Sequence, residues 1–276
     1  LGDVYKRQFM FYEVALIPMY LLIGVWGSGK KEYAAMKLTL MLMGGSAFLL
    51  MGILGIYYGS GATTMNLLEL VKLHIPTEMQ RIFFPMIFVG FGVLGALFPF
   101  HTWSPDGHAS APTAVSMLHA GVLMKLGGYG CFRIAMYLMP EGAAIWGDFF
   151  LVLTTISVVY GAFSAVVQTD LKYINAYSSV SHCGLVLFAL LMMTRVSCTG
   201  AILQMLSHGL MTALFFALIG MIYGRTHTRD VRELNGLMKV MPFLAVGYVI
   251  AGLANLGLPG LSGFVAEMTV FVGSFE

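Results

Sequence analysis

The sequence predicts an all-α integral membrane protein, a bundle of about eight to nine transmembrane helices with two of them broken. Three observations carry this reading. Apolar residues make up 58% of the 276-residue chain and charged residues only 10%. An average soluble domain has about 25% charged residues, so these are too few to cover a surface facing water. The mean hydropathy is +0.84. The apolar residues also fall in runs as long as a bilayer is thick, about 20 residues each. Membrane barrels use alternating segments of roughly ten residues instead.

The predicted crossings are 9–27, 37–58, 82–100, 113–138, 146–167, 173–193, 199–223 and 240–258, with another starting near 262. Two are interrupted. The 82–100 span runs into Pro99-Phe100-His101-Thr102-Trp103-Ser104-Pro105-Asp106, and the 240–258 span runs into Gly257-Leu258-Pro259-Gly260. Proline lacks a backbone donor, and non-helical backbone at membrane depth is tolerated only beside protein or a watery cavity. Helix breaks are therefore expected at Pro99, Pro105 and Pro259. Broken spans in corresponding positions suggest inverted repeats with an ion site at the breaks; plain loops between shorter spans give the same pattern. Residues 9–276 read as a single transmembrane domain, partial and truncated at both ends. Residues 1–8 read as a non-native leader, with no Met and no signal-peptide pattern, and Glu276 stops inside an apolar run.

Charge and cysteine usage exclude several functions. The net charge of +2 is too small to argue for nucleic acid, so the expected surroundings are the lipid bilayer and protein. Lys30, Lys31, Lys37, Lys172, Arg225, Arg229, Arg232 and Lys239 fall on one side. Lys72, Arg81 and Arg195, with acidic Glu141 and Asp148, fall on the other. The richer basic side should face the cytoplasm or its organellar equivalent. Cys131, Cys183 and Cys198 form no CxxC pair, and iron–sulfur clusters generally need four thiolates. No glycine-rich nucleotide loop lies between a strand and a helix. No cofactor and no metal site is expected in this chain.

The chemistry should sit on charges inside the spans. Each costs about 2.5–3.5 kcal/mol on insertion scales and is functional by default. Glu13, Lys125, Arg133 and Glu267 are the four that qualify. Burial disfavours the charged form of an ionisable group, which readies carboxylates and amines to exchange protons; Arg133 stays charged and should reach the interface. Histidine titrates near neutrality and passes protons. His182 follows Ser178 by one helical turn, and Gln204, His208 and Thr212 form an i, i+4, i+8 stripe. The proton-transfer residues are thus expected to be Glu13, Lys125, His182, His208 and Glu267. His101, His119, Ser178, Gln204 and Thr212 are possible pathway support. His119, six residues before Lys125, should face elsewhere, and a hydrogen-bonded packing role is its simpler reading.

The run His101-Thr102-Trp103-Ser104-Pro105-Asp106-Gly107-His108-Ala109-Ser110-Ala111-Pro112-Thr113-Ala114 resembles the signature of antiporter-like subunits of respiratory complex I. The resemblance continues through Lys125 to Gly130, and through Glu13 to Tyr20, Gln168 to Lys172, Tyr177 to Gly184, His227 to Asp230 and Gly257 to Glu267. Within the family the chain is most similar to the subunits called M in bacteria and 4 in mitochondria. The resemblance implies a proton-translocating membrane subunit of NADH-quinone oxidoreductase, built from two inverted repeats. It also implies that FMN, iron–sulfur clusters and quinone belong to partner subunits, so that this chain holds no redox centre. The implied partners are other membrane and peripheral subunits of complex I, and the implied location is the bacterial plasma membrane. By the same resemblance Glu13 matches the family's essential glutamate, Lys125 its central lysine, His182 and His208 its connecting histidines, and Glu267 its terminal glutamate. One position departs: the lysine the family usually places before the first break is Leu94 here. Glu13 then lacks its expected cation, and its half of the path works by another relay or is silent. The competing expectations are a subunit of a multisubunit cation/proton antiporter or membrane-bound hydrogenase, and a purely structural subunit.

Overall fold

The computed structural model describes residues 4–62 and 64–275, with side chains from Phe9 onward. The predicted leader falls partly outside the described residues (1–3), and the backbone of residues 4–8 forms the first turns of a helix. Among the described residues the only β-type pairing is an isolated bridge between Asp170 and Asp230. The helices are α1 (Val4–Trp26), α2 (Lys31–Gly59), α3 (Leu67–Lys72), α4 (Thr77–Leu94), α5 (Trp103–Ser110), α6 (Thr113–Leu118), α7 (Met124–Gly130), α8 (Pro140–Val167), α9 (Leu171–Leu191), α10 (Arg195–Thr226), α11 (Leu237–Val240), α12 (Pro242–Asn255) and α13 (Ser262–Ser274). Six of them, α1, α2, α4, α8, α9 and α10, are individually long and apolar enough to cross a membrane. The predicted 113–138 crossing is one rod in which π-turns at His119–Leu123 and Cys131–Met136 flank α7.

Both breaks occur where the sequence places them, and they close alike. After α4, Ala96 takes a left-handed φ of 56° and Leu97 N–H donates to Gly92 O at 2.8 Å. After α12, Gly257 takes φ 63° and Leu258 N–H donates to Leu253 O at 3.2 Å. Each is a helix end whose orphan carbonyl is satisfied by the donor five residues on. This equivalence pairs Leu94 with Asn255. Phe98 N–H is taken by Ser157 Oγ at 2.9 Å, and Trp103 Nε1 donates to Val93 O at 3.0 Å across the first break. Pro105 is not a break. It lies in the first turn of α5, where the missing N–H has no helical partner in any case. Pro85, inside α4, leaves the Arg81 carbonyl without its helical donor, and the Trp146 indole supplies one at 2.8 Å.

The loop contacts fix the direction of each helix. At one end Ser28 N–H meets Ser110 O (2.8 Å), Lys172 Nζ meets Ala111 O (2.6 Å), and Arg229 Nη1 meets Ala109 O (2.9 Å). At the other, Glu141 and Gly142 N–H both reach Gln80 Oε1 at 3.1 Å, and Thr194 Oγ1 reaches Gly273 O at 2.7 Å. So α1 runs toward the basic end and α9 away from it. Likewise α2 opposes α10, and broken α4–α5 opposes broken α12–α13: two inverted repeats.

Small residues let these helices touch, as is common in membrane bundles. A Cβ on Gly90 of α4 would stand 2.8 Å from Gly45 O of α2. One on Gly200 of α10 would stand 2.7 Å from Val270 N of α13, and one on Gly161 of α8 would stand 2.7 Å from Ser181 N of α9. Large apolar side chains such as Phe11, Phe163 and Val166 face outward, as the surface of a chain in lipid does.

Candidate functional site

Lys125 sits in α7, where the rod changes from π to α geometry. A π-turn shifts the backbone hydrogen-bond register by one residue. The Lys125 ammonium donates to the carbonyl of Ala120, inside that π-turn, at 2.5 Å. It also lines a cleft of about 690 Å³ between α6–α7 and α10. α10 comes this close because Gly121 and Gly209 face each other: a Cβ on Gly209 would lie 2.8 Å from Gly121 O and 3.9 Å from Lys125 Cε.

Beside Gly209, His208 begins a chain of polar contacts that crosses between helices. Its Nε2 lies 2.9 Å from Thr212 Oγ1, one turn along α10, and its ring centroid lies 4.8 Å from that of His182 on α9. His182 Nε2 donates to Asn255 Oδ1 at 2.9 Å, and Ser178 Oγ donates to the same oxygen at 3.1 Å. On the other side of the ring, Gln204 Nε2 donates to His182 Nδ1 at 2.9 Å. Glu267 Oε1 of α13 lies 3.5 Å from that nitrogen. The Glu267 carboxylate packs against Gly257 in the second break.

The structure therefore joins His182, His208, Glu267, Ser178, Gln204 and Thr212 in one network, with Lys125 at its margin. Asn255, which the sequence reading passed over in an apolar run, is its hub.

A second layer lies deeper. The rings of His108 and His119 are 4.5 Å apart, between Trp103 (5.1 Å from His119) and Phe216 (5.3 Å from His108). His119 packs as expected but is not hydrogen-bonded: both its ring nitrogens are buried without a partner, as are His108 Nδ1 and Gln204 Oε1. The large majority of buried side-chain polar atoms have a partner, and these unpaired atoms gather where the histidines do. His101 stands apart in the first break, 5.0 Å from the Tyr160 ring.

Glu13 lies outside the network. It lines a groove of about 360 Å³ with Tyr20, Thr39 and Met43, and its Oε1 is buried without a partner. Leu94, where the resemblance leads one to expect a lysine, is buried in an apolar cluster with Tyr12 and Leu16 of α1. Arg133 stacks over the Tyr137 ring at 4.7 Å.

At the basic end the structure adds a group that sequence reasoning did not assemble. Lys37 of α2 pairs with Asp106 of α5 at 2.7 Å, Tyr173 of α9 donates to the same carboxylate at 3.1 Å, and Arg229 pairs with Asp170 at 3.3 Å. Among the described residues no group of three or more His, Cys, Asp or Glu is placed to hold a metal ion.

The profile of the family described as "NADH:quinone oxidoreductase/Mrp antiporter, TM" matches residues 6–276. NAD(P)H-quinone oxidoreductase chain 4 2 of Microcystis aeruginosa is 42% identical over 266 residues, 96% of this chain and 48% of that protein. NADH-quinone oxidoreductase subunit M of Rickettsia prowazekii is 38% identical over 269 residues, 97% of this chain and 55% of that protein. The chain thus spans about half the length of the curated relatives it matches. Among solved structures it superposes on a chain of respiratory complex I from Thermus thermophilus with bound NADH, with a TM-score of 0.93 and 32% identity, covering 97% of this chain and 57% of that one. A chain of the Mrp complex from Dietzia superposes with a TM-score of 0.89 and 25% identity, covering 99% and 51%. With this family match and, among the described residues, six helices long and apolar enough to cross a membrane, the protein is a multi-pass integral membrane protein, and it belongs to the NADH:quinone oxidoreductase/Mrp antiporter transmembrane family.

Proposed function

We propose that the chain is the proton-carrying part of a membrane subunit of NADH-quinone oxidoreductase. It couples NADH-to-quinone electron transfer in partner subunits to H⁺ movement through buried Lys, His and Glu side chains. The observation that carries this is the relay from Lys125 past His208 and His182 to Glu267, built from four helices around the second break. Imidazole accepts and donates protons near neutrality; the His208 and His182 rings are 4.8 Å apart, Glu267 lies 3.5 Å from His182, and Lys125 shares a cleft with Gly209, the residue after His208. Among the described residues Glu13 is paired with no cation, so in this reading the path begins at Lys125. In this reading FMN, iron–sulfur clusters and quinone sit in partner membrane and peripheral subunits of complex I, the chain supplies no redox centre, and the site is the bacterial plasma membrane.

The test is Lys125→Ala in the complete enzyme reconstituted in liposomes. Quinone-coupled proton uptake should fall about a hundredfold, the scale of a positioned acid–base group, while NADH oxidation by a soluble acceptor is retained. Undiminished pumping per electron would leave Lys125 a structural residue and end the proposal. A second reading, a subunit of a cation/proton antiporter, is favoured by the likeness to the Mrp complex and by Leu94. It predicts sodium-dependent proton exchange with neither NADH nor quinone present.

A further inference from the structure

Gln204 stands between the two groups that must trade a proton. Its Nε2 is 2.9 Å from His182 Nδ1, the same nitrogen that faces Glu267 Oε1 at 3.5 Å. Its own Oε1 is buried with no partner. We propose that Gln204 is a positioning residue whose amide turns over to pass one proton at a time between His182 and Glu267. This rests on the proton-carrying reading above.

The argument is one of donors and acceptors. A neutral imidazole has one donor and one acceptor nitrogen, and an imidazolium has two donors. Asn255 Oδ1 only accepts, and it is held in place by Ser178, so His182 Nε2 keeps its hydrogen in both states. Nδ1 is therefore where the proton arrives and leaves. While His182 is neutral, the Nδ1 lone pair needs a donor, and the Gln204 NH₂ supplies it. A proton on Nδ1 would set donor against donor. A half-turn of the amide about its last torsion, which is broad and roughly two-fold, replaces NH₂ with the free Oε1, so that the new N–H meets an acceptor while the Glu267 carboxylate stands 3.5 Å away. The transfer then balances across the direct 3.5 Å contact: the Nδ1–H bond breaks as an O–H bond forms on Glu267, imidazolium plus carboxylate become imidazole plus carboxylic acid, and the amide itself takes up no proton. The amide turns back to meet the emptied lone pair. A glutamine that only filled space would have no reason to leave its oxygen buried and unpaired.

The experiment uses the complete enzyme in liposomes, with Gln204→Leu and Gln204→Glu beside His182→Ala and Glu267→Gln. Gln204→Leu, which keeps volume and loses both hydrogen bonds, should slow quinone-coupled proton uptake about tenfold. It should also at least double the slowing caused by D₂O, with oxidation of NADH by a soluble acceptor intact. Gln204→Glu, which as the acid offers both a donor and an acceptor, should recover more than half of the loss. If Gln204→Leu pumps normally while His182→Ala and Glu267→Gln do not, the amide has no such role. A loss with an unchanged D₂O effect makes Gln204 a packing residue and also overturns the proposal. If Gln204→Leu does not assemble, the rate and D₂O effect of Gln204→Glu decide by the same criteria. Normal pumping by His182→Ala and Glu267→Gln would instead remove the proton-carrying reading beneath it.

Discussion

Neutralising Asp106 isolates one charge at the point where three helices meet. Its carboxylate pairs with Lys37 at 2.7 Å, and the two side chains are 26% and 22% exposed. Tyr173 donates to its other oxygen. Two unit charges about 4 Å apart attract by about 4 kcal/mol at an effective dielectric of 20, and most of that is offset by desolvation. Fully exposed pairs net about 0–1 kcal/mol, and breaking a fully buried one costs about 3–5 kcal/mol. A pair that is about three-quarters shielded falls between, so Asp106→Asn should cost about 2 kcal/mol. Asparagine keeps an acceptor for Tyr173, so the loss is that of the charge. The assay is thermal unfolding of the enzyme in lipid discs, read by a thiol-reactive dye at Cys131 and Cys183, both of which are buried. At about 2–4 °C per kcal/mol, the midpoint should fall by about 4–8 °C. Lys37→Met should cost a similar amount, and the double variant little more than either alone, because the shared pair is lost only once. Added salt should change the wild-type midpoint little, since shielded pairs are weakly screened. A fall under about 1 °C, or additive single effects, would show that the pair behaves as an exposed one and refute the reasoning.

Two further outcomes follow from packing. Gly200→Val puts a side chain where even a Cβ would stand 2.7 Å from Val270 N. It should push α13 away, cost about 1–3 kcal/mol as overpacking does, and cut proton uptake by displacing Glu267; a normal midpoint and normal uptake would show that α13 yields freely. Trp103→Phe removes the indole hydrogen bond to Val93 O, made by a fully buried side chain. It should lower stability by about 1–3 kcal/mol through the unsatisfied carbonyl, and a midpoint within 1 °C of wild type would count against Trp103 as the clamp on the first break.

The spans and both breaks were legible because length, hydropathy and proline each act locally. The stripe Gln204–His208–Thr212 was legible for the same reason, and the His208–Thr212 contact at i, i+4 forms directly. Local spacing did not reveal what Gln204 and Ser178 bind. Gln204 turns to a histidine 22 positions away, and Ser178 shares its partner with His182 in an asparagine 77 positions on. Asn255 carries no charge and interrupts no pattern, so composition gave it no prominence. Asp106 was visible only as part of a motif, since its partners Lys37 and Tyr173 lie 69 and 67 positions away. Pro105 was misplaced because a proline in a helix's first turn and a proline in a break look the same in one dimension.

Because the two halves run in opposite directions, each leaflet of the bilayer meets nearly the same architecture. A device built this way has no preferred sense of travel in its backbone. The two breaks close by the same turn, yet one carries Leu94 and Ala96 where the other carries Asn255 and Gly257, and a carboxylate, Glu267, lies against the second. Rectification in such a molecule is therefore written in a handful of side chains, and exchanging residues between the breaks is the direct way to alter it.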